Sequence, residues 1–112
     1  MALNVNHEIT NGISKITLDG RLDASNANAF KTEVEKAAEA KAKAIVLMLG
    51  GLEYMASAGL RVLVFAKQKL GGSSKVFIVG AQPMVKQTIE LSGFHQAVTL
   101  LDSYDAAVIE KA

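Results

Sequence analysis

The chain has 112 residues, 12 basic and 11 acidic side chains, a formal net charge of +1, half its residues hydrophobic and a single proline. This composition predicts one globular domain, 1–112, with a substantial core, and excludes a disordered chain. Cysteine is absent, which removes disulfides, thiolate metal sites and thiol catalysis.

Lysines alternate with glutamates instead of massing together, so no nucleic-acid footprint is expected. No run approaches the roughly 18 apolar residues of a membrane span. Met1-Ala2-Leu3-Asn4 lacks the basic region and apolar core of a secretion signal. A cytoplasmic protein without membrane contact is the expectation.

Leu3, Val5, His7 and Ile9 alternate with Asn4, Asn6 and Glu8, the period of a half-buried strand. Asn11-Gly12 follows, and both residues tolerate positive φ, so a tight hairpin is predicted into a second strand through Ile16 and Leu18 to Gly20. Beyond Gly20-Arg21-Leu22-Asp23 the period becomes helical. Ala27, Phe30, Val34, Ala37, Ala38 and Lys41 share one face, with Asp23 or Ser25 as the expected N-cap. The alanine-rich run from Ala37 to Ala44 reads as the helix end and its exit.

Ala44 to Leu49 is continuously apolar, the pattern of a strand covered on both faces. A helix running to Leu70 follows, and Gly71-Gly72-Ser73-Ser74 is expected to end it. Val76 to Val79 reads as another buried strand. Pro83 suits the first turn of a helix ending near Ser92-Gly93. Val98 to Leu101 makes a last short strand, and Asp102 or Ser103 is expected to cap a terminal helix through Ala106, Val108 and Ile109. The predicted order is β-β-α-β-α-β-α-β-α: an α/β fold with a mixed sheet, an antiparallel opening hairpin and helices packed against the sheet.

The most informative stretch is Met55-Ala56-Ser57-Ala58-Gly59-Leu60, where strand gives way to helix. Serine is a preferred N-cap, because its oxygen accepts from an unpaired amide of the first turn. The same place suits an added phosphate, since free amides and the helix dipole favour an anion there. Ser57 is therefore either a plain cap or a modifiable switch. Gly59 is costly inside a first turn. It makes sense if an element of the fold, or a partner protein, approaches its backbone closely.

Little points to catalysis. His7 lies on the apolar face of the first strand, where a satisfied histidine is the expected reading, and His95 lies in a turn. Neither has metal-ligand spacing, and no serine has an evident base and acid in sequence. Gly50-Gly51 and Gly71-Gly72 fit no phosphate-binding fingerprint. No enzyme activity, metal or cofactor is expected.

The element order resembles that of STAS domains, specifically bacterial anti-sigma factor antagonists, along essentially the whole chain. Gly20-Arg21-Leu22-Asp23 is similar to the family's Gly-x-Leu-Asp segment, and Leu52 to Leu60 to its signature loop of hydrophobic-Asp-Ser-Ser/Thr-Gly-Leu. Pro83 to Lys86 through Leu91 to Phe94 resembles its late helix and exit. The resemblance implies a domain that binds an anti-sigma factor which is also a serine kinase, and so frees a sigma factor. That kinase phosphorylates the first serine of the loop, here Ser57, and a metal-dependent phosphatase resets it. The implied interface is centred on Tyr54, Met55, Ala56, Ser57, Ala58, Gly59 and Leu60 with Arg61, and Asp23, Ser25 and Asn26 beside it. Ala56 replaces the signature's Asp and Ala58 its second hydroxyl residue, so Ser57 is the only hydroxyl among Ala56, Ser57 and Ala58. Two other readings stand beside the switch: an interaction or scaffold module independent of phosphorylation, and a small-molecule or nucleotide-binding domain.

Overall fold

The computed structural model describes residues 3–70, 75–96 and 98–109. Along them run β1 (Leu3–Thr10), β2 (Ile13–Leu22), α1 (Ala27–Glu39), β3 (Ala44–Met48), β4 (Leu52–Met55), α2 (Ser57–Leu70), β5 (Lys75–Val79), α3 (Pro83–Leu91), β6 (Thr99–Leu101) and α4 (Ala106–Ile109). The strands form one mixed sheet in the order β1-β2-β3-β5-β6, antiparallel only at β1–β2, and β4 also pairs with β2. The α/β fold and its opening hairpin agree with the sequence pattern. The expected glycine–serine end of α2 at residues 71–74 lies outside the described residues.

Asn11 and Gly12 both have positive φ (53° and 79°), which turns the chain tightly enough to pair Thr10 with Ile13. On β2, Ser14, Ile16 and Leu18 face the helices, while Ile13 belongs to the opposite face. Phe30, Val34 and Ala37 of α1, Leu63 and Ala66 of α2, and Val85 and Ile89 of α3 close the main core over Ile45, Leu47 and Ile78. A smaller cluster of Ile13, Ala44, Val46, Phe77 and Val79 on the other face is joined by Ile109 of α4. Being covered on both faces is why β3 and β5 are continuously apolar.

The helix ends show local chemistry at work. At the end of α1, Lys41 takes the left-handed φ of 57°, its amide donates to Ala38, and the amide of Ala42 reaches back to Ala37. That is a Schellman motif, with Lys41 at the position glycine usually takes, and it ends the helix inside the alanine-rich run. Pro83 opens α3 as expected, and Gly93 with φ of 80° follows its end.

Four expectations are corrected. The first concerns Leu52–Met55, which forms the short strand β4 rather than loop, so the sheet has six strands among the described residues. Second, α1 begins at Ala27 with Asn26 at the cap position, and neither Asp23 nor Ser25 caps it. Third, Ser57 is the first residue of α2 rather than its N-cap. The carbonyl of Ala56 accepts the first helical bonds, from Gly59 and Leu60. Fourth, Asp105, not Asp102 or Ser103, caps α4 by accepting from the amide of Ala107 at 3.0 Å.

The histidine of β1 has an unforeseen set of partners. His7 Nδ1 lies 2.9 Å from Glu33 on α1, and its Nε2 bonds the hydroxyl of Ser14 on β2. A carboxylate only accepts, so Nδ1–H donates to Glu33, and in the neutral ring Nε2 accepts from Ser14. The order hydroxyl, imidazole, carboxylate is that of a hydrolytic triad. Yet Ser14 has 0% exposure, so nothing outside reaches its oxygen. Its place in the fold is that of a polar strut joining both hairpin strands to α1, as a satisfied histidine should be.

Partial burial pushes the Glu33 carboxyl up, but the bond from His7, with Lys36 beside it, outweighs this and holds it below its ordinary 4.5. A group depressed in the fold contributes stability above its unfolded pKa and loses it as pH falls through the folded value. Urea titrations stepped from neutral pH down to about pH 3 check this. Stability should fall with pH below about 4.5 in the parent, and fall less steeply in Glu33→Gln.

Candidate functional site

The segments implied by the signature meet at one end of the sheet. β2 is long enough to pair twice on the same side: residues 13–17 with β3, then Gly20, Arg21 and Leu22 with β4. The chain changes partner at Leu49-Gly50-Gly51. The amide of Leu49 still bonds Val79 of β5, and Gly51 then accepts from Gly20 at 3.0 Å. A Cβ on Gly51 would lie 2.0 Å from Asp19 Oδ1, so glycine lets the Asp19 carboxylate rest against the crossing, and a side chain there would make it rotate away.

Pairing ends with Leu22 opposite Met55, followed by a bond from the Ala56 amide to the Leu22 carbonyl at 2.8 Å. The chain leaving β2 and the chain entering α2 therefore emerge side by side. Asp23, Ser25 and Asn26 stand on one, and Ala56, Ser57 and Ala58 on the other.

The first of these loops is tied within itself. Asp23 Oδ1 accepts from the Ser25 hydroxyl at 2.5 Å and from the Ser25 amide at 2.9 Å. The Asn26 side chain accepts from the Asp23 amide and donates to the Arg21 carbonyl, each at 2.9 Å. The Ser25 hydroxyl first, then its amide, holds the Asp23 carboxyl below its ordinary value. Asp23 is therefore a fixed negative charge at neutral pH.

Ser57 is exposed, and its hydroxyl has no hydrogen-bond partner among the described residues. Its amide and that of Ala58 are likewise unpaired among them, as first-turn amides are. Ser57, Arg61, Val64 and Gln68 are all exposed at spacings of four, three and four, so they form the solvent stripe of α2. Ala56, Ala58 and Leu60 are half-buried.

Met55 is only 2% exposed and Gly59 is buried, so these two support the site from beneath. A Cβ on Gly59 would meet Leu22 Cδ2 at 2.6 Å and Met55 Cγ at 2.9 Å. The fold itself, through these two side chains, is what approaches that backbone. Tyr54 is half-buried beneath the Arg21 guanidinium, 4.4 Å from ring centroid to charge. The two are cross-strand partners on β2 and β4.

Two of the expected interface residues, Ala58 and Arg61, also line a hollow that no local sequence signal marks. This hollow of about 320 Å³ lies between α1 and α2, lined by Ala24, Ala27, Asn28, Lys31, Ala58, Arg61, Val62 and Phe65. The helical period of α1 gave each residue a face, but no local signal says which face meets α2. Among the described residues no group of three potential metal ligands occurs, and no helix is long and apolar enough to cross a membrane.

With this geometry in view, the STAS domain family model matches residues 4–107. The chain belongs to the STAS domain family. A Bordetella bronchiseptica protein named as an anti-sigma factor antagonist, BtrV, is 33% identical over 91 residues, covering 80% of this STAS chain and 78% of its own. The crystal structure of an anti-sigma factor antagonist from Mycobacterium paratuberculosis superposes with a TM-score of 0.86 at 24% identity, covering 96% of this chain and 92% of that one. SpoIIAA of Bacillus in its phosphorylated form superposes with a TM-score of 0.71 at 17% identity, covering 98% of each chain. At these identities the two structures bear on the STAS fold alone.

The glycine under the site gives a test of its packing. Gly59→Ala should lose about 1–2 kcal/mol, overpacking against Leu22 and Met55 outweighing the ~1 kcal/mol that alanine gains in a helix. In a Leu22→Ala background the same change should cost less, because the space is vacated. Denaturant melts of the four proteins measure both.

Proposed function

We propose that this STAS domain is an anti-sigma factor antagonist, switched by reversible phosphorylation of Ser57. The partner is an anti-sigma factor with serine-kinase activity, which the unmodified domain binds through the surface around Ser57. Binding frees a sigma factor. Kinase action on Ser57 ends the complex, and a metal-dependent phosphatase restores it. The domain is a binding protein on this reading, and the chemistry belongs to its partners.

The observation that carries the reading is the state of Ser57: exposed, first in its helix, with a hydroxyl that no described residue engages. The relatives' names and the family membership support the antagonist part. Family resemblance supports the choice of serine.

Electrostatics makes the switch workable. A phosphate brings about −1.5 to −2 charges at neutral pH. At the N-terminal end of α2 the free amides of Ser57 and Ala58 and the helix dipole accommodate it, so the fold persists while the interface changes charge. Asp23, already ionised nearby in the adjoining loop, is not neutralised by the change. Ala56 and Ala58 leave the kinase no second hydroxyl beside Ser57 to modify.

Binding of the purified domain to the anti-sigma factor of its own organism tests the proposal. Ser57→Ala should bind about as tightly as the parent, and Ser57→Asp should bind at least about tenfold more weakly, ~1.4 kcal/mol. Equal binding by all three would instead support a scaffold independent of phosphorylation.

A further inference from the structure

The hollow between α1 and α2 is positively charged, unlike the balanced chain as a whole, and of the cation-lined hollows it is the one beside Ser57, since Ala58 lines it. Over the whole chain the balance is near even, at +1. The hollow carries two cations, Lys31 and Arg61, and no carboxylate among its lining residues. Neither cation is in an ion pair among the described residues, whereas Lys36, on the same helix as Lys31, pairs with Glu33.

Ala27, Ala58, Val62 and Phe65 give the hollow an apolar lining. Lys31 reaches across from α1 to lie 4.9 Å from the Phe65 ring centroid on α2, so the charge sits directly against the apolar surface. Farther along the same two helices the character changes: a second hollow is lined by Glu35 and Glu39 together with Lys36 and Lys69. The cation-only section is the one at the Ser57 end, since Ala58 lines it and Arg61 lies one helical turn beyond Ser57 on the same stripe.

We propose that this hollow takes the contact segment of the partner protein, an acidic side chain set beside an apolar one, and that phosphate on Ser57 cancels the charge that recruits it. The proposal rests on the antagonist reading for its partner and adds the chemistry of recognition. Two cations and an apolar lining complement a segment of that kind, and repel a basic one. A phosphate of about −1.5 to −2 on Ser57, next to the lining residue Ala58, offsets most of the charge of the two cations. It also stands four residues before Arg61, the spacing and order in which an anion and a cation attract along a helix. Modification thus draws Arg61 toward the phosphate and leaves the acidic segment facing a like charge.

The probe is a displayed library of random peptides selected on the intact chain, with the recovered peptides synthesised and titrated. The expected peptides join Asp or Glu to an apolar residue, shift the backbone amide resonances of Lys31, Ala58 and Arg61, and bind more weakly as salt rises. Lys31→Glu and Arg61→Glu should each weaken them about tenfold, and Ser57→Glu should weaken them too. Thermal melts confirm that the variants fold, and Lys31→Gln supplies a milder change. Peptides without acidic residues, amide shifts elsewhere, or indifference to both charge reversals overturn the proposal. The anti-sigma partner separates the two claims. If it binds and responds to Ser57→Asp yet ignores both reversals, the hollow is not the docking site and the antagonist reading stands. If acidic peptides bind the hollow while the anti-sigma partner does not bind at all, the hollow is supported and the antagonist reading fails.

Discussion

The pairing of β2 with two strands in succession is the constraint on which the rest of the structure depends. β3 occupies the first half of β2, and β4 takes over beside Gly20, Arg21 and Leu22. At the change of partner Gly51 leaves room for the Asp19 carboxylate, which a side chain there would force to turn aside. The pairing ends with Leu22 against Met55 and both against the bare backbone of Gly59. α2 can begin where it does only because its first turn lies flush on those two side chains. Leu22, Met55 and Gly59 are themselves inaccessible, or nearly so, yet they determine where the exposed residues around them stand.

What they present is a surface with little internal competition. Asp23, Ser25 and Asn26 bond one another, and Asn26 also donates to the Arg21 carbonyl. Among the described residues Ser57 has no such bond, and it stands at the positive end of a helix. The unbonded hydroxyl, the free amides behind it and the unpaired Arg61 one turn away form a place where adding an anion alters charge without disturbing packing. The strut from Ser14 through His7 to Glu33 belongs to a different part of the molecule and serves the hairpin.

Much of this was legible in the sequence wherever a signal is local. Asn11-Gly12 specified the hairpin, Pro83 the start of α3, and the unbroken apolar runs the strands covered on both faces. β4 was not legible: four residues between Gly51 and a helix are too few to carry a periodicity, and their strand character comes from pairing with the far end of β2. The caps differ from the local pattern for a related reason. Asp23 and Ser25 are good capping residues, but they bond each other, and Ser57 begins its helix because the Ala56 amide is already tied to Leu22. For the candidate site, the motif brought Ser57 and Asp23 to notice, and strand pairing now sets their loops side by side. Lys31 and Phe65 were out of reach, because their meeting depends on how α1 and α2 pack.

The central claim is that the surface around Ser57 is built to have its charge changed by phosphate. Its most direct test is site-mapped mass spectrometry of the protein recovered from its native cells in growth and under stress, beside a Ser57→Ala control. The account predicts a phosphate on Ser57 whose occupancy changes with condition and which is absent from the control. A protein that carries none in any condition, while still co-purifying with its anti-sigma partner, would contradict it.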